Sequence, residues 1–222
     1  MPYESGTPTS SVGMQTALLS GMAQNAAGWQ QVLSVKEART VARILKVNHA
    51  GEFGAIRIYR AQIWVARRLY PDVVAFLEDT LGHEIRHCAL FLDAMPSHNA
   101  RPCRIMQLWG NGGLVLGFAT ALLGRNGIWV CTAAVERAVH RHLQDQIHFL
   151  RERDAEVHDL IIDIQGEELS HLNHAEEQLS SDALWSRLLR GSISRITDAV
   201  IWLSTWGDST RMARELAAAK NH

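Results

Sequence analysis

The feature that most constrains this chain is a pattern of metal-binding residue types that occurs twice at one constant offset. Each copy is a lone glutamate followed, at the same interval in both copies, by a Glu-x-x-His pair. The six residues are Glu52, Glu84 and His87 in the first copy and Glu136, Glu168 and His171 in the second. Residues three positions apart lie one turn apart on the same face of a helix, so each pair presents a carboxylate and an imidazole together. A single such pair is common by chance, whereas repetition of all three positions predicts a metal site.

This ligand set also predicts the fold. Two lone glutamates and two Glu-x-x-His pairs, each on its own helix, are the ligands of the di-iron carboxylate four-helix bundles. The turn signals repeat as well, because Tyr70 of the Tyr70-Pro71 turn follows Glu52 at the interval at which Asp154 of the Arg153-Asp154 turn follows Glu136. We therefore expect an all-α, ferritin-like four-helix bundle built from two helical hairpins, in a single domain over residues 35–222.

The hydrophobic periodicity gives approximate bounds for the four helices. They are expected at about 36–70, 72–95, 128–153 and 154–179, with Asp72 as the N-cap of the second helix.

Two further segments lie outside the bundle. A C-terminal helix is expected over 182–220, where apolar residues recur at helical spacing: Ile193, Ile196, Val200, Leu203 and Trp206. Residues 1–34 contain no Lys or Arg and are rich in small polar residues, so we expect a loosely ordered tail that is neither a signal peptide nor a transit peptide.

The segment 105–124 contains no formally charged residue and lies between Arg104 and Arg125. Its length would allow a membrane span. However, the run Gly110–Gly113 interrupts the segment, and a span would place the two halves of the metal site on opposite sides of the bilayer. Two interpretations remain open: an apolar flap that lies in a bilayer surface or covers a lipid-filled cleft, and a buried crossover between the hairpins. In the first, the side chains expected to face membrane or substrate are Leu108, Trp109, Leu114, Leu116 and Phe118.

The charges of the ligand set favour iron. Four carboxylates and two neutral imidazoles carry four negative charges, which two ferrous ions would balance. Oxygen ligands with one imidazole per metal suit iron or manganese better than zinc, so we expect two iron ions that bind and activate O2. No catalytic residue is expected beyond the ligands. Hydrogen-bond partners must orient both histidine ligands, and the candidates are Tyr59, His140, His142, Asp163 and Glu167.

A competing motif overlaps the first Glu-x-x-His pair. His83, Glu84 and His87 fit His-Glu-x-x-His, in which two histidines bind zinc and the glutamate is the base of a metalloprotease. The residue equivalent to His83 in the second copy is Glu167, so the repeat does not include it. A protease would also leave the ligands outside this motif unexplained, which makes it a remote alternative.

Composition excludes some other functions. A formal net charge of -1 gives no reason to expect nucleic acid as a partner. The three cysteines Cys88, Cys103 and Cys131 have no disulfide or zinc spacing and are expected to be reduced thiols.

Several stretches resemble the demethoxyubiquinone hydroxylases (3-demethoxyubiquinol 3-hydroxylases) of ubiquinone biosynthesis. The resemblance covers roughly residues 40–206, and its most specific part is Val47–Tyr59. The other stretches are Glu84–His87, Gly117–Gly124, Thr132–Glu136 and Glu167–His171. All six metal-ligand positions of that family are occupied in this chain.

The resemblance implies a ferritin-like bundle that binds peripherally to a membrane and hydroxylates the ring of a polyprenyl benzoquinol with O2 and an electron donor. Without a transit peptide, the cytoplasmic face of a bacterial inner membrane is the expected location. A ferritin-like iron or quinone carrier without turnover is the alternative, since the ligand set is shared by both classes. No residue identifies the electron donor, the quinone tail length or the oligomeric state, and a homo-oligomer or a biosynthetic complex would each be compatible.

Overall fold

The computed structural model describes residues 33–179, 191, 193, 195 and 207–219. Over these residues the chain is helical with short connections and has no strand, which confirms the all-α prediction. The long helices are α1 (Val35–Leu69), α2 (Val74–Ala94), α3 (Met106–Leu122), α4 (Arg125–Leu150), α5 (Ala155–Glu177) and α6 (Asp208–Ala219). Short 3-10 turns at Pro71–Val73 and Pro96–His98 follow α1 and α2.

The ends of the helices follow from local hydrogen bonds. Ser34 and Glu37 form a reciprocal capping box at the start of α1, and Asp154 caps α5 by accepting from the Val157 N–H. Asp72 does not cap α2 as the sequence predicted, because it lies inside the 3-10 turn before that helix. Its carboxylate instead accepts two hydrogen bonds of 2.7 Å from the Arg125 guanidinium, which joins the start of α2 to the start of α4.

The helices pair as two hairpins. α1 packs along α2, and α4 packs along α5. The hairpins meet where α2 contacts α5 and where α1 contacts α4. This is the helical bundle of two hairpins that the repeated pattern predicted, since each hairpin carries one copy of that pattern.

The apolar core surrounds a polar centre. Towards one end of the bundle, buried side chains such as Leu45, Phe91, Leu143 and Ile164 pack together. Towards the other end, a second cluster contains Ala55, Leu77, Ala133 and Leu172. On each helix, the predicted metal ligands fall in the chain between the members of these two clusters, so apolar layers close the polar centre from both ends.

The apolar segment forms one continuous helix, α3, which packs along α1. The predicted interruption at Gly110–Gly113 is wrong, because these glycines allow close packing of two helices. A Cβ atom added to Gly113 would lie 2.5 Å from the Gly54 carbonyl oxygen, and one on Gly117 would collide with the Ile58 carbonyl oxygen. Glycine is therefore required where the backbones of α3 and α1 touch.

The outer face of α3 is apolar and exposed. Leu108, Val115 and Leu122 are 51, 68 and 69% exposed. The opposite face is packed on α1, as the buried-crossover interpretation predicted. The membrane interpretation stays a prediction for the outer face. Among the described helices, none is both long enough and apolar enough to cross a bilayer.

The predicted membrane-facing residues divide between these two faces. Leu108 points outward, whereas Trp109 is buried against Gly54 in a small cluster with Ala50 and Cys103, which contradicts its predicted exposure. Its ring packs on the α1 backbone at Gly54. The remaining three, Leu114, Leu116 and Phe118, are half-buried.

Part of the C-terminal prediction lies outside the described residues. This applies to Ile196, Val200, Leu203 and Trp206, and to residues 1–32 of the predicted tail. Ile193 is buried and helical. Gly207 has φ of 74°, a left-handed conformation that an α-helix does not contain, so α6 is not the end of one continuous helix over 182–220. Met212 and Leu216 of α6 pack into the core.

Candidate metal centre

All six predicted ligands converge at the centre of the bundle. Their side chains are between 1 and 5% exposed, or fully buried in the case of His87. They form two overlapping groups in which the ligand atoms lie within 4.8 Å of one another. One group is Glu52, Glu84, His87 and Glu168, and the other is Glu84, Glu136, Glu168 and His171.

The overlap of the groups assigns distinct positions to the six residues. Glu84 and Glu168, one from each hairpin, belong to both groups and lie where a carboxylate could bridge two metal ions. Each group is completed by a lone glutamate and the histidine of the same hairpin: Glu52 with His87, and Glu136 with His171. This is the symmetric arrangement that the repeated pattern predicted.

Unpaired buried atoms indicate that the centre fits a metal. Four ligand atoms have no hydrogen-bond partner within the described part of the chain: Glu84 Oε1, Glu168 Oε1, His87 Nδ1 and His171 Nδ1. His87 Nδ1 and Glu168 Oε1 approach to 2.9 Å, yet they do not form a hydrogen bond. Buried polar atoms are rarely left unpaired, and a metal ion would satisfy these lone pairs together. The donor set of carboxylate oxygens and one imidazole per group suits iron or manganese.

Burial and mutual repulsion keep protons on most of the carboxyl groups in the metal-free protein. Burial, followed by the negative charge of Glu168, raises the pKa of Glu52 to about 7. The same two causes raise the pKa of Glu84 and of Glu136 well above the ordinary value. Metal binding would have to displace these protons.

Glu168 is the exception among the four carboxyl groups. Burial acts to raise its pKa, but contacts with Glu136, His171 and His87 outweigh burial and hold the pKa below the usual range. For His87, burial acts to lower the pKa, but contacts with Glu168 and Glu52 outweigh it and the pKa is raised. In the metal-free protein the surroundings therefore favour the ionised form of Glu168 and the protonated forms of the other three carboxyl groups.

Each histidine of the centre is held from outside by a residue of the opposite hairpin. The Nδ1 atoms of His87 and His171 face the carboxylates, and their Nε2 atoms face outward. His87 Nε2 lies 2.9 Å from Glu167 Oε2, and His171 Nε2 lies 2.8 Å from His83 Nδ1. Arg86 also donates to Glu167.

Glu167 was a predicted partner, whereas His83 was not considered for this role. Sequence reasoning placed His83 only in the zinc motif. The signal that could have found it is the repeat itself, because His83 precedes Glu84 as Glu167 precedes Glu168.

The other predicted partners have different surroundings. Tyr59 is buried and donates from its hydroxyl to Glu136 Oε1 over 2.5 Å. His140 pairs with Gln144 on the surface of α4, and His142 and Asp163 are exposed. Since Glu167 and His83 already occupy the outer nitrogens of both ligand imidazoles, these three residues are not their orienting partners.

The zinc-protease motif does not form a zinc site in this fold. His83 belongs to neither group of converging ligand atoms, and its ring centre lies 6.4 Å from that of His87. Its Nδ1 is bonded to His171 instead. The motif is therefore a coincidence of a ligand pair and the residue that precedes it.

Comparison with known proteins agrees with this geometry. Residues 39–204 match the family described as Ubiquinone biosynthesis protein COQ7. This chain belongs to the COQ7 family. The matched range contains all six converging ligands and both outer partners, His83 and Glu167.

Relatives of this COQ7-family chain have hydroxylase names. The NADPH-dependent 3-demethoxyubiquinone 3-hydroxylase, mitochondrial, of Mus musculus is 36% identical over 172 residues, which cover 74% of this chain and 76% of that protein. The 3-demethoxyubiquinol 3-hydroxylase of Rhodospirillum rubrum is 34% identical over 167 residues, covering 75% and 78%. The 5-demethoxyubiquinone hydroxylase, mitochondrial, of Saccharomyces cerevisiae is 29% identical over 187 residues, covering 78% and 80%.

Proposed function

We propose that this chain is a di-iron monooxygenase that hydroxylates the ring of a demethoxyubiquinol-type polyprenyl quinol in ubiquinone biosynthesis. The observation that carries the proposal is the convergence of six buried ligands from four helices, with four of their donor atoms unpaired within the described residues. Hydroxylase names among the COQ7-family relatives supply the reaction and the substrate class.

The six ligands would hold two iron ions. Glu52 and His87 would complete one position, Glu136 and His171 would complete the other, and Glu84 and Glu168 would lie between them. When bound, the iron pair supplies the activation of O2 and the transfer of electrons. The protein holds the ligands in place and excludes water with the apolar clusters on either side, within a single domain over residues 35–222.

The lipid nature of the substrate agrees with the surface next to the centre. A polyprenyl quinol resides in bilayers, and α3 exposes an apolar face formed by Leu108, Val115 and Leu122. Arg104 before α3 is exposed and would meet anionic headgroups. We propose that this face binds the cytoplasmic surface of a bacterial inner membrane and receives the substrate from it.

A single-turnover reaction tests the proposed activity. The protein is loaded anaerobically with ferrous iron, mixed with a short-tailed demethoxyubiquinol and exposed to 18O2. We expect hydroxylated quinone with one labelled oxygen, because a monooxygenase inserts one atom of O2. Several relatives are named NADPH-dependent, so NADPH is the first reductant to use for multiple turnovers.

Two results would contradict the proposal in different ways. Binding of about two irons per chain without labelled product would favour the carrier alternative. Binding of about one zinc per chain in preference to iron would favour the protease, although the position of His83 argues against it.

A further inference from the structure

The two histidines of the centre are held crosswise. His87 on α2 contacts Glu167 on α5, and His171 on α5 contacts His83 on α2. His87 Nε2 lies 2.9 Å from Glu167 Oε2, and His171 Nε2 lies 2.8 Å from His83 Nδ1. Each ligand imidazole is thus oriented by the other hairpin, so correct docking of the hairpins is needed to align both histidines.

The crossed pair follows the repeat of the ligands, but the residue types differ. His83 and Glu167 are related by the same offset as the ligands themselves. All three ligand positions have the same residue type in both copies, whereas this position has an imidazole in one copy and a carboxylate in the other. The two halves of the centre therefore differ at this position.

Arg86 adds to the difference. It donates to Glu167 Oε2, the same oxygen that faces His87. The residue that corresponds to Arg86 in the second hairpin is Ser170. The outer side of His87 therefore has a carboxylate fixed by a guanidinium, whereas the outer side of His171 has one imidazole, whose ring centre lies 5.1 Å from that of His171.

The hydrogen-bond directions follow from which nitrogen faces the metal position. A metal ion on Nδ1 leaves the ring proton on Nε2, so Nε2 is the donor in both contacts. His87 then donates to Glu167 Oε2, and His171 donates to His83 Nδ1, which requires the proton of His83 to be on its Nε2. His83 Nδ1 and Glu167 Oε2 lie 4.0 Å apart, which is too long for a hydrogen bond between them.

A carboxylate acceptor makes the imidazole a stronger metal ligand than a neutral acceptor does. We propose that Glu167 and His83 are positioning residues that make the two metal positions unequal, with the stronger histidine donor at the position of His87. This inference rests on the proposed metal centre and goes beyond it, because the six ligands alone are symmetric.

Stepwise binding of Co2+ to the metal-free protein tests the inference without any turnover. Two binding steps of different affinity are expected. The visible absorption of the bound Co2+ ions measures both steps. Glu167→Gln keeps an acceptor oxygen but removes its charge, so we expect it to weaken the tighter step about tenfold or more and to leave the other step nearly unchanged. His83→Glu places a carboxylate in both positions and should bring the two steps closer together.

Asp163→Asn is the matched control. It removes the same charge from an exposed carboxylate four residues earlier on α5 and should change neither step. Helical content by circular dichroism identifies any variant that fails to fold. If Glu167→Gln fails to fold, Glu167→Asp is the conservative variant that keeps the charge and should retain the tighter step.

The outcomes separate this inference from the proposed function. Equal weakening of both steps by Glu167→Gln, or no effect of that change, would overturn the inequality while leaving the metal centre and the hydroxylase intact. Normal stepwise Co2+ binding in a protein that makes no hydroxylated quinone would overturn the proposed hydroxylase activity. It would leave the inference about Glu167 and His83 in place.

Discussion

Asn48 and Gln146 exchange two side-chain hydrogen bonds across the buried contact of α1 with α4. Asn48 Nδ2 donates to Gln146 Oε1 over 2.7 Å, and Gln146 Nε2 donates to Asn48 Oδ1 over 3.0 Å. Asn48 is 9% exposed and Gln146 is fully buried, so neither amide can easily turn to water. Asn48 lies four residues before Glu52, and Gln146 lies ten residues after Glu136. The pair therefore joins the two hairpins beside the metal centre.

Breaking this amide pair on one side should be worse than removing both amides. Asn48→Leu or Gln146→Leu alone leaves the other amide buried and unpaired, which lowers the free energy of unfolding by about 1–3 kcal/mol. In the double variant the loss should be smaller than in either single variant, because no buried amide is left unpaired. Urea denaturation of the four proteins measures this coupling, and simple additivity would show that the two amides do not stabilise each other.

Alanine substitutions of two helical glycines should have opposite effects. Gly117→Ala would place a methyl group against the Ile58 carbonyl, so we expect the free energy of unfolding to fall by about 1–3 kcal/mol. Gly166→Ala on α5 meets no atom of the described residues within 4 Å and should raise it by about 0.5–1 kcal/mol through helix propensity. A stabilising Gly117→Ala would mean that α3 does not pack on α1 as described.

The metal-free protein should lose stability as the pH rises from about 5 to 7.5. The pKa of Glu52 is raised by burial to about 7, and the pKa values of Glu84 and Glu136 are also raised well above the ordinary value of about 4.3 in an unfolded chain. The folded state therefore binds more protons than the unfolded state in this range, so raising the pH favours unfolding. His49, whose pKa is lowered by burial, opposes this trend with a single group. Melting temperatures with and without ferrous iron measure the effect, which bound metal should suppress.

Glu84→Gln should abolish metal binding without destabilising the metal-free protein. Burial and the charge of Glu168 raise the pKa of Glu84 and so favour its protonated form, which a neutral amide of similar shape replaces at little cost. The parent protein should gain about 2.7 kcal/mol of stability at a metal concentration of 100 times Kd, and the variant should gain none. Iron content and melting temperature are measured together, and full iron occupancy in the variant would contradict the assignment of Glu84 as a ligand.

Charging the outer face of α3 should weaken membrane binding. Val115→Lys and Leu122→Lys replace side chains that are 68 and 69% exposed, and each should lower vesicle binding about tenfold or more if these groups enter the lipid. Ile162→Lys on α5, where the parent side chain is 44% exposed, is the control and should change little. Co-sedimentation with anionic phospholipid vesicles measures binding, and equal effects of all three changes would exclude α3 as the membrane-facing element.

The sequence by itself predicted the six residues that converge, the pairing of helices into two hairpins and the order of the helices. These follow from spacing, because a helix places residues three apart on one face and because a repeat of all ligand positions constrains both hairpins in the same way. Glu167 and Tyr59 could also be predicted as neighbours of the centre, because each lies close along its own helix to a predicted ligand, Glu168 and Glu52 respectively.

Only the tertiary structure decided which residues meet between helices. His83 contacts His171 from the opposite hairpin, Asp72 pairs with Arg125 instead of capping α2, and Trp109 is buried against Gly54 of α1. From the sequence alone, the glycines of α3 predict a break in the helix. In the fold they form the surface of a continuous helix that packs on α1. Spacing along a chain specifies the face of a helix, but the neighbour of that face depends on how whole helices pack, and local propensity does not contain this information.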